Sequence, residues 1–379
     1  MDNENKQYDK PIRVLEVCQR MEAAGVQSFL MNIYRNIDRE KVQLDFLVHY
    51  DEHNFYDDEI EALGGKIYRF PVRENYNIIK YVRDLCAFFR GHKEYRIIHG
   101  HMDSLGMIYL KCAQREGIKV RIAHSHNSSV QDGIKKYFRL FMRKRYKEYA
   151  NHLFACSNDA GKFMFGDSDF EVIHNVIDSE KYKYDITMRN RKRKEIGCSD
   201  SFVIGNVGRL HVQKNQLFLV DVFYQILKQI PNSKLLLIGS GELEKELKKK
   251  IQEYGISEQV TILNNRKDVN ELYQAMDVYV MPSLYEGLPV SAIEAQASGL
   301  LCVFSDSITK ETDITGNVKY ISLDQSVEYW AEHIISSFSK HERKDMKEAI
   351  IKRGYDAKTV ALNIQDMYLQ MHNNNPRGK

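Results

Sequence analysis

Two carboxylates stand eight positions apart in Glu286-Gly-Leu-Pro-Val-Ser-Ala-Ile-Glu294. The apolar run Val278-Tyr-Val-Met281 reads as a strand that Pro282 and Ser283 break, so Glu286 falls in the turn after it and Glu294 inside the next helix. Pro289 suits a first helical position, where its missing N–H is no loss. Glu294 has small or apolar neighbours, Ala292, Ile293, Ala295 and Ala297. A carboxylate there needs a hydrogen-bonding partner, and a sugar diol is a good one. Upstream, Val207-Gly-Arg-Leu210 ends another strand and Lys214 starts the helix that follows. Arg209 and Lys214 at one strand–helix junction suit a diphosphate, since hydrogen bonds to charged groups contribute about 1.5–3 kcal/mol each. A cation at a helix N-terminus opposes the macrodipole, and an anion held between the two would offset that. Diol and diphosphate together describe a nucleotide sugar.

Short β-branched runs alternate with helical stretches along nearly the whole chain, the pattern of parallel sheets with crossover helices. In the first half, strands are predicted near Ile12–Val17, Gln43–Val48, Lys66–Arg69, Arg96–His99, Val120–Ala123, His152–Ala155 and Glu171–His174. In the second half they fall near Phe202–Val207, Lys234–Ile238, Val260–Leu263, Val278–Val280 and Leu301–Phe304. The 379 residues have room for two doubly wound domains. One is expected over 1–178 and one over 201–356, with the polar, basic stretch between them as linker. Two such domains facing each other would put strand carboxyl ends on both sides of a cleft.

The motifs in this order resemble the C-terminal signature of glycosyltransferase family 4, the retaining enzymes of the GT-B fold. The matching residues are Gly208-Arg209 with Lys214-Asn215, then Gly239-Ser-Gly241-Glu242, then Glu286 to Glu294 followed by Ala-Gln-Ala-Ser-Gly299. The resemblance covers nearly the whole chain. It implies an α/β GT-B architecture whose last helix, about 357–379, crosses back to the N-terminal domain. It also implies that Arg209 and Lys214 hold the pyrophosphate, that Glu286 contacts the transferred sugar, and that Glu294 accepts from the ribose hydroxyls. Gly208, Gly241, Gly287 and Leu288 are further donor-side candidates, the last two through backbone N–H groups, and the segment around Arg266 is expected to meet the base. Gly25 lies in the loop that closes over phosphate and acceptor in the family, although Ala24 stands where a second glycine is usual. Many relatives also carry a glycine shortly after the first glutamate, where this chain has Leu288-Pro289.

Histidines gather at two strand ends, His99 with His101 and His124 with His126. Their spacing and the lack of carboxylates nearby in sequence argue against a metal site. The family resemblance makes His124 the residue at the sugar's 6-position, with His126 and Asn127 on the acceptor side. Asp167-Ser-Asp169 lacks the context of a metal clamp, and Gly239-Ser-Gly241 has Glu244 where a dinucleotide fingerprint needs its third glycine. Segment 133–147 carries seven basic residues among aromatics, fitting peripheral attachment to anionic lipid. Net charge is +3, too small to argue for nucleic acid, and six scattered cysteines point to a reducing compartment. With no apolar leader or long apolar run, a cytoplasmic protein is expected, attached at most peripherally to the inner membrane face.

The reading is a retaining, metal-independent hexosyltransferase that needs no cofactor beyond its UDP-sugar cosubstrate. The acceptor would be a glycan or polyprenyl-linked oligosaccharide in surface polysaccharide assembly. The alternatives are a UDP-N-acetylhexosamine 2-epimerase of the same fold and a non-catalytic GT-B partner subunit. Against the epimerase stands the lack of a clear acid/base carboxylate constellation in the N-terminal half.

Overall fold

The computed structural model describes residues 10–22, 24–102, 105–126, 145–264 and 266–374. The chain divides into two units, one made of Met1–Val176 with Ala357–Lys379 and the other of Ile177–Asp356.

The first unit is built on strands β1 (Ile12–Val17), β2 (Val42–Val48), β3 (Ile67–Arg69), β4 (Tyr95–Gly100), β5 (Val120–Ser125), β6 (His152–Ala155) and β7 (Glu171–Val172). All pairs are parallel, in the order β3-β2-β1-β4-β5-β6-β7. Successive strand residues point to opposite faces, and both faces are covered. Val14, Phe46, Ile97 and Ile122 pack with the helices Gly25–Asn36 and Ala357–Asn374. Leu15, Leu47, Ile98 and Ala123 pack with the helices Ile78–Gly91 and Gly106–Arg115. Glu16 shares the face of Val14, so β1 delivers a carboxylate into a core-facing position.

The second unit repeats the plan with β8 (Phe202–Val207), β9 (Ser233–Ile238), β10 (Val260–Leu263), β11 (Val278–Met281), β12 (Leu301–Ser305) and β13 (Val318–Ile321). The order is β10-β9-β8-β11-β12-β13, again all parallel. In each unit the strand order reverses beside the first strand, at β1/β4 and at β8/β11. Connections leave such a point in opposite directions and open a crevice at the strand carboxyl ends. β13 was not expected, although Val318-Lys-Tyr-Ile321 has strand composition.

The stretch expected as a linker is part of the second unit. It forms the helices Ser179–Tyr182 and Ile186–Glu195. The basic run is only partly solvated, with Arg191 61% exposed. Arg189 and Arg193 both pair with Asp277, Arg193 also donates to the Ala275 carbonyl at 2.8 Å, and Lys192 meets Asp268, Glu195 and Glu271 at 2.9 Å each. Arg193 and Asp277 side chains are 7% and 8% exposed, and Asp277 is compensated for lost water by Arg193, Arg189 and the Val203 N–H together. Two local expectations also shift. Pro289 flanks the helix Val290–Ala297 as its N-cap residue, and Lys214 ends a separate 3-10 turn, Val212–Lys214.

Arg193→Ala is expected to remove one of the two arginines on Asp277, leave the Ala275 carbonyl without this donor and destabilise the second unit by about 2–3 kcal/mol. Urea unfolding measures this, and a loss below about 1 kcal/mol would mean that the basic helix is a solvated appendage after all.

Candidate functional site

The crevice of the second unit is assembled from the loops after β8 and β11. Asn215 adopts the left-handed conformation, φ 55°, which asparagine tolerates better than most residues, and this separates the 3-10 turn from the helix Gln216–Gln229. Its side chain donates to the Pro282 carbonyl at 3.1 Å. Leu284 N–H donates to the Gln213 carbonyl at 2.8 Å, and the Gln213 amide to the Tyr285 carbonyl at 2.9 Å. These bonds stitch the two loops together and bring Lys214 Nζ to 2.6 Å from Glu286 Oε1. The pair is largely sheltered, with side chains 18% and 7% exposed. Arg209 is different. Its side chain is 70% exposed and reaches Glu242 at 3.3 Å, with His211 on the same carboxylate at 3.1 Å.

Gly239 and Gly241 are explained by backbone packing, whereas a Cβ on Gly208 would make only ordinary contact with the Lys214 side chain. A Cβ on Gly239 would fall on the Gly208 carbonyl oxygen, and one on Gly241 on the Leu210 carbonyl oxygen. The two loops lie that close because Leu210 N–H donates to the Ser240 carbonyl at 3.0 Å. Gly287 is exposed, whereas the Leu288 side chain belongs to a core cluster with Ile293 and Ile314, leaving only its backbone for a ligand. Arg266 forms a two-bond fork with Asp268, at 2.7 and 2.8 Å.

Glu294 is held by two tyrosines that the sequence did not mark. Tyr182 O–H donates to Oε1 at 2.6 Å and Tyr273 O–H to Oε2 at 3.0 Å. Burial raises its pKa and the two hydroxyls pull it back down. The Tyr273 hydroxyl also lies 3.1 Å from the Ser291 carbonyl in the preceding turn.

In the first unit the four histidines at the carboxyl ends of β4 and β5 form one network. Glu16 Oε2 lies 2.8 Å from His101 Nε2, and Tyr368 O–H, from the last helix, donates to Glu16 Oε1 at 2.8 Å. His101 Nδ1 is 2.8 Å from His126 Nε2, whose Nδ1 is 3.2 Å from Asn175 Oδ1. His99 Nδ1 is 2.6 Å from the Tyr368 hydroxyl and its Nε2 3.1 Å from His124 Nδ1. His124 Nε2 is buried and completes no hydrogen bond among the described residues. The Ile173 backbone nonetheless favours the charged form of that ring. Burial lowers the pKa of all four rings, that of His101 to about 3, and raises that of Glu16 to about 8.

This corrects two expectations drawn from spacing. Nitrogens of His99, His101 and His124 come within 4.8 Å of one another, as metal ligands do. The first unit also does hold a carboxylate–histidine constellation, because Glu16 arrives from β1 far away in sequence, so its supposed absence no longer counts against an epimerase. The direct nitrogen–nitrogen contact of 3.1 Å between His99 and His124 is nevertheless that of a hydrogen bond.

Gly25 opens the helix Gly25–Asn36, and Ala24 before it offers no side-chain cap. A Cβ on Gly25 would meet nothing within 4 Å, so packing does not require a glycine there. Asn127 and residues 133–144 of the basic segment lie outside the described residues. At its described end, Tyr146 is buried and donates to the Gly100 carbonyl at 2.8 Å. Lys147 donates to the Phe165 carbonyl at 2.9 Å and to Ser168 at 2.8 Å, so these two side chains face protein. Among the described residues no helix is long and apolar enough to cross a membrane.

Residues 23–181 match the family described as Glycosyltransferase Family 4, and residues 188–356 the one described as Glycosyl transferases group 1. A protein of Bacillus subtilis named "Putative glycosyltransferase EpsF" is 34% identical over 96% of this chain and 98% of its own length. The Escherichia coli UDP-Gal:alpha-D-GlcNAc-diphosphoundecaprenol alpha-1,3-galactosyltransferase is 28% identical over 61% of this chain and 64% of its own. Among solved structures, Anabaena Alr3699/HepE in complex with UDP superimposes with TM-score 0.79, at 18% identity, over 94% of this chain and all of that one. The architecture is therefore that of the GT-B glycosyltransferases.

Tyr182→Phe removes the shorter of the two bonds to Glu294, so the carboxyl group's titration is expected to move upward. Carboxyl 13C NMR of the folded variant reads this directly, and an unmoved titration would show that the hydroxyl does not hold the carboxylate.

Proposed function

The chain belongs to the family 4 and group 1 glycosyltransferases, and on that premise we propose that it moves a hexose from a nucleoside diphosphate sugar, with UDP as the nucleotide, to a glycan or polyprenyl-linked acceptor. The observation that carries this reading is the Lys214–Glu286 pair at the strand-order reversal, with Arg209 exposed beside it and Glu294 held in the next helix. Arg209 is free to swing its guanidinium onto a diphosphate, since its exposed contact with Glu242 holds it weakly. Glu286, once Lys214 turns to phosphate, is left to accept from a sugar hydroxyl. Glu294 exchanges one or both tyrosine bonds for ribose hydroxyls.

Support for UDP comes from the solved relatives that carry UDP and UDP-glucose and from the galactosyltransferase whose name specifies a UDP-sugar and a lipid diphosphate acceptor. Charge developing on the leaving diphosphate would be met by Arg209, Lys214 and the first amides of the helix Val290–Ala297. This arrangement needs no divalent ion. Transfer with retention then proceeds by attack of the acceptor hydroxyl on the face the diphosphate leaves, the departing phosphate oxygen taking its proton. In the first unit, His124 Nε2 is the ring atom left over for a ligand hydroxyl. A role in surface polysaccharide assembly at the inner membrane face fits the lipid-linked acceptor.

Proton NMR of the protein with a panel of UDP-sugars, in EDTA, tests the reading. Slow release of free sugar with the donor's anomeric configuration is expected, and a C2-epimerised product would overturn it. Arg209→Ala and Lys214→Ala are each expected to lower kcat/KM by about 10- to 100-fold, the equivalent of one charged hydrogen bond. Unchanged turnover in folded variants would remove these residues from the site.

A further inference from the structure

The hydrogen-bond network of the first unit admits few proton arrangements, and Glu16 distinguishes them. Glu16, His99 and His124 are at most 1% exposed and His101 7%, so water does not complete their bonding, while His126 and Asn175 are half-buried. The groups that face Glu16 are His99 and His101 from β4, Tyr368 from the last helix and the Cys18 thiol beyond β1. Phe29, from the helix Gly25–Asn36, lies against His101, His124 and His126 and offers no polar atom.

When Glu16 is ionised, both Tyr368 and His101 Nε2–H donate to it. His101 Nδ1 is then an acceptor, His126 Nε2–H must donate to it, and His126 Nδ1 in turn needs a donor, the Asn175 amide N–H. When Glu16 carries a proton on Oε2, every bond on that branch reverses. Glu16 donates to His101 Nε2, His101 Nδ1–H to His126 Nε2, and His126 Nδ1–H to Asn175 Oδ1. An Asn175 Oδ1 facing His126 Nδ1 at 3.2 Å is compatible with this second arrangement, and turning the amide over gives the first. Both rings stay neutral throughout, and the net change is one proton gained at Glu16. On the other branch Tyr368 donates to Glu16 in both states, so His99 Nδ1–H donates to Tyr368 and His124 Nδ1–H to His99. This leaves His124 Nε2 without hydrogen and without a completed hydrogen bond among the described residues, although the Ile173 backbone favours the charged ring.

We propose that Glu16 is a positioning residue whose carboxyl proton decides which nitrogen of His101 and His126 carries hydrogen, and thereby which end of the part-exposed Asn175 amide is offered outward. With Glu16 protonated, Asn175 turns its N–H₂ outward as a donor. With Glu16 ionised, it turns its carbonyl outward as an acceptor. That this edge meets a ligand rests on the transferase reading above, whereas the proton arrangement does not.

The test is long-range 1H–15N NMR of histidine-labelled protein, without substrate, at pH 6 and pH 9.5. His101 and His126 are expected to be Nδ1–H forms at the lower pH and Nε2–H forms at the higher, with a midpoint near the pKa of about 8 that burial gives Glu16. In Glu16→Gln the two spectra should agree, since an amide keeps its protons. Identical wild-type tautomers at both pH values would overturn the proposal even if the variant failed to fold. Ring shifts that change on adding EDTA would also overturn it, assigning the cluster to a metal. Stability gives a second readout. The folded state holds the Glu16 proton up to about pH 8 and the unfolded chain only to about 4.5, so this contribution is lost as pH rises between them. The buried histidines, lowered below 6.5, act oppositely and only below that pH. Between pH 6.5 and 8 wild-type stability should therefore fall with pH relative to Glu16→Gln, and parallel curves would contradict the assignment.

Discussion

The ion pair between Lys214 and Glu286 joins the two loops that leave the second sheet in opposite directions. A parallel sheet whose order reverses beside its first strand leaves an opening there, and something must fix the loops at its rim. Here the left-handed Asn215 and the Gln213–Leu284 backbone bond bring the loops together, and the sheltered ion pair stands where they meet. The glycines after β9 follow from the same crowding, since the third loop lies against the first with no space for a side chain. A lysine already paired to a carboxylate is a poised anion site. Under the function proposed above, an incoming diphosphate replaces one partner by another, and the displaced carboxylate is left facing whatever the diphosphate carries.

Glu16 is compensated differently from the other buried carboxylates, since in the first unit Asp45 and Asp57 also have arginine partners. In the second unit the carboxylates have cationic or hydroxyl partners, namely Asp277 between two arginines, Glu286 on Lys214 and Glu294 between two tyrosines. In the first, Glu16 is surrounded by imidazoles that burial keeps neutral, so it is cheaper to keep its proton than to charge a ring. Networks of this kind are strong when every member is satisfied, and His124 Nε2, without a partner among the described residues, lies at the strand end where ligands bind in such sheets.

Much of the architecture was legible in the sequence, because each buried parallel strand is a short apolar run between polar turns, and β1, β6, β8 and β10 fall where those runs do. Arg209, Lys214 and Glu286 could be placed in loops after strands from turn chemistry, and Glu294 in the helix that follows Pro289. What could not be read was partnership across distance. Glu16 and Tyr368 are separated by 352 positions, and Tyr182 and Glu294 by 112. The basic stretch around Arg193 was expected as a linker because its counter-charge, Asp277, lies 84 positions away. The histidines were visible as neighbours along strands, but strand alternation and parallel pairing of β1, β4 and β5 were needed to gather them around one carboxylate.

Calorimetric titration of UDP, without a sugar, into the wild-type protein and Glu286→Gln tests most directly whether the diphosphate takes Lys214 from Glu286. Removing the competing charge should tighten UDP binding, by about tenfold for one charged hydrogen bond released. Equal or weaker binding in the folded variant would mean that Lys214 stays with its carboxylate and that the diphosphate is held elsewhere.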